Sequence, residues 1–163
     1  MDQKYLVGLL LALGVFLLTR ITKGRSSSLI KIKAPEAIKE AFNTTFKNSS
    51  HPDSVNNWLA VSKMETGGFN SKIFRETLNL WGMKHPKKRP TKASGKYLSG
   101  TNEWAKYDSL KDSVQDIILW MNYTKFPKGN LSLDDHLKEM KARGYFEESI
   151  DQYTNLVKAW IQR

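Results

Sequence analysis

The sequence contains no cysteine, which excludes a disulfide framework and a cysteine-based zinc site, and leaves the redox compartment unreadable. Its three histidines, His51, His85 and His136, lack metal-motif spacing. Each is therefore expected at the surface rather than on a metal, and no metal or cofactor is expected. Acid is in short supply. The 16 Asp and Glu stand against 26 Lys and Arg, a formal net charge of +10. That balance implies a polyanionic partner, whether nucleic acid, an anionic membrane surface or an acidic polymer, and charge alone does not choose. The shortage is also local. No acid lies between Glu76 and Glu103, an interval that holds Lys84, Lys87, Lys88, Arg89, Lys92 and Lys96. A helix-turn-helix pattern, a zinc spacing and an RNA-binding aromatic strand are all missing, so nucleic acid is not the expected partner. No internal repeat appears.

What is present suits one domain with an appendage, given 163 residues of which 40% are hydrophobic. Part of that apolar content forms one block, Tyr5 to Thr19, with Lys4 before it and Arg20, Lys23 and Arg25 after it. The run is shorter than the roughly 20 residues that span a bilayer comfortably, but Ile21 and snorkelling of Lys4 and Arg20 extend it. A small-residue cleavage site is missing and an arginine follows at once, which favours an uncleaved anchor over a signal peptide. The expected organisation is a single-pass anchor over 1–21, in contact with lipid through 5–21, a basic Ser-rich linker over 22–33, and one domain over 34–163. Basic residues are denser on the C-terminal side of the run, which by the positive-inside rule would keep the domain in the cytoplasm.

Beyond the linker, helical signals follow closely. Pro35 suits the first turn of a helix carrying Ile38, Ala41 and Phe42. Asp53 or Ser54 can cap a second, with Val55, Trp58, Leu59 and Val61, that stops at Gly67-Gly68. A short helix is expected over 72–78. Ser109 can cap a long one, Ser132 with Asp135 resembles a capping box, Gly144 is a stop, and Ser149 begins a last helix through Tyr153, Val157 and Trp160. Only 84–106 lacks helical period, and Lys96 to Leu98 with Trp104 to Tyr107 can pair as a hairpin. The expected fold is mainly α with a small β-like insertion.

Glu65 stands out by position. It follows Trp58, Val61 and Ser62 on one edge of the second helix's inward face, in the last turn before Gly67-Gly68. The negative end of the helix dipole and an apolar wall both disfavour ionisation there, and a raised pKa is what a general acid needs. The plainer alternative is an exposed glutamate at a frayed helix end, and position alone favours it.

The surroundings alter that balance. The stretch Trp58 to Phe69 contains Glu65-Thr66-Gly67, and Asn79-Leu80-Trp81-Gly82-Met83-Lys84 follows. Tyr107-Asp108-Ser109 with Asp112-Ser113 comes next, then Gly144-Tyr145 with Tyr153. These four elements, in this order across about residues 50–163, resemble the flagellar-type endo-β-N-acetylglucosaminidase family of lysozyme-like peptidoglycan hydrolases. The resemblance implies a two-lobed lysozyme-like fold around a groove, with peptidoglycan glycan strands as substrate. It implies Glu65 as the general acid and Tyr145 as a residue lining the site, with a packed core tyrosine as the alternative. It also implies that Asn79, Trp81, Gly82 and Lys84 shape the groove floor, Asn79 by holding backbone and Gly82 by permitting a tight turn.

One departure from the family pattern bears on mechanism. Many members carry a second carboxylate in the first strand of the hairpin, where this chain has no acid. Glu103, on the facing strand, or Asp108 could take over, and each is otherwise an ordinary boundary acid. Without a second carboxylate, the substrate's N-acetyl group or 6-hydroxyl would act as nucleophile, giving substrate-assisted hydrolysis or a lytic transglycosylase. The rival expectations are a non-catalytic membrane-anchored wall-binding or structural protein, and a membrane-tethered nucleic-acid binder. A wall-cutting domain must face the wall. The expected setting is therefore a bacterial envelope, or the internal membrane of a phage virion, where delivery by the particle removes the topological conflict.

Overall fold

The computed structural model describes residues 28–162. The expected anchor over 1–21 lies outside them, and among the described residues no helix is long and apolar enough to cross a membrane. The first helix, α1 (Ser28–Lys47), takes in the last residues of the expected linker and places Pro35 inside the helix rather than in its first turn. Its apolar stripe is spaced four residues apart, with Ile38, Phe42 and Phe46 all buried. A 3-10 turn (Pro52–Ser54) leads into α2 (Val55–Glu65), and α3 (Lys72–Thr77) follows after a glycine turn.

Three further helices carry most of the remaining core: α4 (Leu110–Tyr123), α5 (Leu133–Ala142) and α6 (Ile150–Ile161). Each begins at the serine expected from sequence. Ser109, Ser132 and Ser149 accept a hydrogen bond from the backbone N–H three residues on, at Asp112, Asp135 and Gln152. Ser54, by contrast, precedes α2 without a side-chain cap. The insertion contains β1 (Gly95–Ser99) and β2 (Asn102–Lys106), paired antiparallel with Tyr97 opposite Trp104. Segment 83–85 runs along the other edge of β2, through Ala105 N–H to the Met83 carbonyl at 3.0 Å and His85 N–H to the Glu103 carbonyl at 2.8 Å. The described chain is thus mainly α-helical with one two-stranded sheet.

Trp58 of α2 sits at the centre of an aromatic cluster. Its ring meets Trp81 at 5.5 Å, Trp120 at 5.9 Å and Tyr145 at 5.5 Å, each at a steep angle, the edge-to-face geometry that ring quadrupoles favour. The histidines depart from the surface expectation. His51 and His136 are 1% and 0% exposed. A neutral imidazole packs as an aromatic ring, and His136 lies between Trp58 at 4.8 Å and Phe126 at 4.9 Å. Burial pushes its pKa down to about 3, so it stays uncharged in that apolar site.

Candidate active site

Glu65 is the last residue of α2, and the chain turns sharply after it. Gly67 and Gly68 have φ of +58° and +70°, and Phe69 has +63°. Glycine suits the first two because a Cβ is strained there. At Gly68 it would also meet the Trp160 ring of α6 at 3.1 Å. Thr66 completes the turn, donating to the Ser62 carbonyl at 2.6 Å and accepting from Phe69 N–H at 2.9 Å. The helix end therefore holds Glu65 in place rather than fraying.

Both oxygens of the carboxyl are accounted for. Oε1 accepts a hydrogen bond from the Tyr153 hydroxyl at 2.5 Å. Oε2 lies 2.8 Å from where a Cβ on residue 82 would be, and residue 82 is glycine with φ +58°. Gly82 thus leaves the space that the carboxyl fills. Tyr153 is positioned by α6, and its ring stacks flat on Phe146 at 3.7 Å. Burial drives the Glu65 pKa up to about 7; the Tyr153 hydrogen bond opposes this, and the charge of Glu148 adds to the rise. The residue as a whole is partly exposed, while its carboxyl is buried against Tyr153 and Gly82. Tyr145 and Tyr153 are held well above the ordinary tyrosine range, first by burial and then by the charge of Glu65. Both remain protonated hydrogen-bond donors.

The turn bearing Gly82 is built by Asn79. Its amide donates to the Met83 carbonyl at 2.8 Å and the Ala105 carbonyl at 3.1 Å, and its oxygen accepts from the N–H groups of Trp81 and Met83. Ser113 pins the same turn from α4, accepting Leu80 N–H on its hydroxyl and Trp81 Nε1–H on its carbonyl. Asn79 and Trp81 are 2% and 1% exposed, so they act from beneath the site. Tyr145 reaches the turn from the other side, its hydroxyl donating to the Trp81 carbonyl at 3.0 Å. Glu65, Gly82, Tyr145 and Tyr153 therefore converge. Lys84 is exposed just beyond, bridged to Trp104 of β2.

The second-carboxylate candidates have partners of their own. Glu103 is paired across the hairpin with Lys96 at 2.9 Å, a partner that holds its pKa below the usual carboxylate range. Asp108 accepts from the Ser94 hydroxyl at 2.7 Å. The carboxylate whose charge acts on Glu65 is Glu148, in the loop between Tyr145 and the start of α6. Sequence reasoning missed it because an acid just before a helix-capping serine looks like any boundary acid. It also missed Asp116 of α4, which is fully buried. Asp116 accepts from Arg89 at 2.6 and 3.2 Å, Thr91 at 2.7 Å, Lys92 N–H at 2.7 Å and Tyr107 at 3.0 Å. Burial alone would raise its pKa, but these donors outweigh burial and keep it ionised. The lysine-rich segment is thereby anchored from below. Among the described residues no group of three or more His, Asp or Glu could hold a metal.

No protein-family profile matches the chain, and no curated protein matches it in sequence. Among solved structures it is similar to a chain in the structure of a type VI secretion system effector-immunity complex from Pseudomonas protegens. The identity is 18% and the TM-score 0.53, over 78% of this chain and 94% of that one. At that identity the likeness establishes a shared fold between the two chains.

Proposed function

We propose that this protein cleaves β-1,4 links between amino sugars of peptidoglycan, with Glu65 as the general acid on a lysozyme-like scaffold. The observation that carries the reading is the state of Glu65. It is a carboxyl with a pKa near 7, hydrogen-bonded to Tyr153, in a residue that is partly exposed. A group in that condition holds its proton at neutral pH yet releases it to a leaving oxygen as the bond breaks. Glu65 gives its proton to the glycosidic oxygen, the bond from that oxygen to the anomeric carbon breaks, and positive charge develops on the sugar ring. Water or the 6-hydroxyl then attacks that carbon and gives up its proton to the Glu65 carboxylate, or the N-acetyl oxygen attacks first to form an oxazoline that water opens. Attack by the 6-hydroxyl yields an anhydro sugar and consumes no water; the other routes end in a reducing sugar.

Glu148 has the best claim as second carboxylate, because its charge reaches Glu65 while Glu103 is engaged by Lys96. Tyr153 orients the acid. Gly82 and the Asn79 turn give it room. A bacterial envelope, with residues 5–21 as the anchor, and a phage virion with an internal membrane both suit a wall-cutting domain. The rival is a wall-binding protein without catalysis.

Zymography of the full-length chain on peptidoglycan tests the reading. Clearing is expected from the wild type and not from Glu65→Gln. Clearing by that variant would refute Glu65 as the acid, and a folded wild type that binds several wall types without clearing any would establish the rival. Mass spectrometry of the products, reading reducing against anhydro ends, assigns the reaction.

A further inference from the structure

A second feature plays no part in the chemistry above. A surface hollow of about 380 Å³, within the size range of small-ligand sites, is lined by Lys87, Lys88, Arg89, Trp120, Tyr123 and Arg143 among others. Its floor and one wall are aromatic. Trp120 is 9% exposed, and Tyr123 is 58% exposed, an unusual degree for a large ring.

The four cations differ in availability. Arg89 is committed to Asp116. Arg143 is committed to Glu139 and to the carbonyls of Thr124 and Lys125. Lys87 and Lys88 are exposed and enter no ion pair or hydrogen bond among the described residues. Their backbone is nevertheless tethered, because Arg89, Thr91 and Lys92 are all tied to buried Asp116. Two lysines without a hydrogen bond or ion pair of their own thus line the same hollow as the exposed Tyr123, and the charge of Lys87 also acts on Glu103. The hollow is also coupled to the acid. Trp120 packs on Tyr145 at 5.2 Å, and Tyr145 lies within electrostatic reach of both Glu65 and Arg89.

We propose that this hollow is a subsite for a sugar of the bound strand that carries an acidic peptide branch, the ring stacking on Tyr123 and the branch carboxylates pairing with Lys87 and Lys88. The inference rests on the glycan-cleaving reading of Glu65 and adds a discrimination to it: strands with acidic branches bind better than bare strands. A stacking face suits a pyranose ring, and ammonium groups pair with carboxylates as point charges without needing a fixed fork. Phosphate polymers share the anionic chemistry, and single-stranded nucleic acid shares the stacking, so both belong in the test.

Binding is measured in the full-length chain carrying Glu65→Gln, so that nothing is turned over, by titration calorimetry with tetrasaccharide fragments bearing acidic peptide branches or stripped of them. Branched fragments are expected to bind about tenfold tighter, the scale of charge-assisted hydrogen bonds. Lys87→Glu with Lys88→Glu should collapse that ratio to near one. Tyr123→Ala should weaken both ligands together. Lys39→Glu, an exposed lysine on α1, controls for net charge and should preserve the ratio. A ratio that survives in the double lysine variant overturns the proposal. So does tighter, lysine-dependent binding of a ribitol phosphate polymer or of a single-stranded oligonucleotide. The two readings fail separately. Lysine-dependent preference without clearing in zymography sinks the enzyme and keeps the subsite; clearing without preference does the reverse.

Discussion

Replacing Glu65 with glutamine should abolish glycan cleavage and at the same time stabilise the protein, but only at neutral and alkaline pH. The fold holds the Glu65 pKa at about 7 against an ordinary 4.5, so the folded-state value lies above the unfolded one. Below pH 4.5 both states carry the proton and the site costs nothing. Between 4.5 and 7 the unfolded chain releases its proton first and the folded chain loses stability as pH rises, with the loss complete above 7. The two values correspond to at most about 3 kcal/mol, which the partial exposure of Glu65 reduces to about 1–2 kcal/mol. Glutamine keeps the shape and can still accept from Tyr153, but cannot ionise. Scanning calorimetry at pH 8 should therefore show Glu65→Gln melting roughly 4–7 °C above the wild type, with the two within a degree or so at pH 4. Equal melting temperatures at both pH values would refute the raised pKa. A variant stabilised more at pH 4 than at pH 8 would refute its sign.

The neighbours of Glu65 should move its titration in opposite directions. Tyr153→Phe removes a bond that favours the ionised form, so the alkaline limb of the pH–rate profile should shift up. Glu148→Gln removes a repelling charge, so the limb should shift down; a fall in kcat with no shift would mean that Glu148 acts only as a reactant, and no change in either would mean that it takes no part. Gly82→Ala places a Cβ 2.8 Å from Oε2 at a positive φ. It should cost about 1–2 kcal/mol in urea denaturation and remove activity together, and near-wild-type values in both would contradict the close approach. Asp116→Ala leaves Arg89 with its buried charge unpaired. It should destabilise by about 3–5 kcal/mol, seen in the same denaturation assay, and should increase hydrogen exchange across 89–94.

How much of this was legible beforehand depends on how far apart the determining residues lie. The helix starts at Ser109, Ser132 and Ser149 were readable because a capping side chain bonds a backbone N–H three residues away, within one stretch of sequence. The hairpin was readable for a similar reason, its strands being nearest neighbours around a short turn. Glu65 could be singled out only through ordered elements that resemble those of a family, and its location at a helix end suggested a pKa raised by the dipole and by an apolar wall. In the folded chain burial is the chief cause, and burial is a property of everything packed around the residue. Tyr153 stands 88 positions along the chain from the carboxyl it bonds, and no periodicity connects them. His136 was expected outside because it lacks metal-motif spacing, but a neutral ring among Trp58 and Phe126 packs as an aromatic. Asp116 carried no local mark; three of its four donor residues come from the insertion and the fourth, Tyr107, follows it, and only chain folding brings them to α4. The sequence by itself determined most of the helices, the starts of three of them, and one glutamate that could be named as a candidate acid. The tertiary structure decided which groups surround that acid, because desolvation and charge act through space and take no account of distance along the chain.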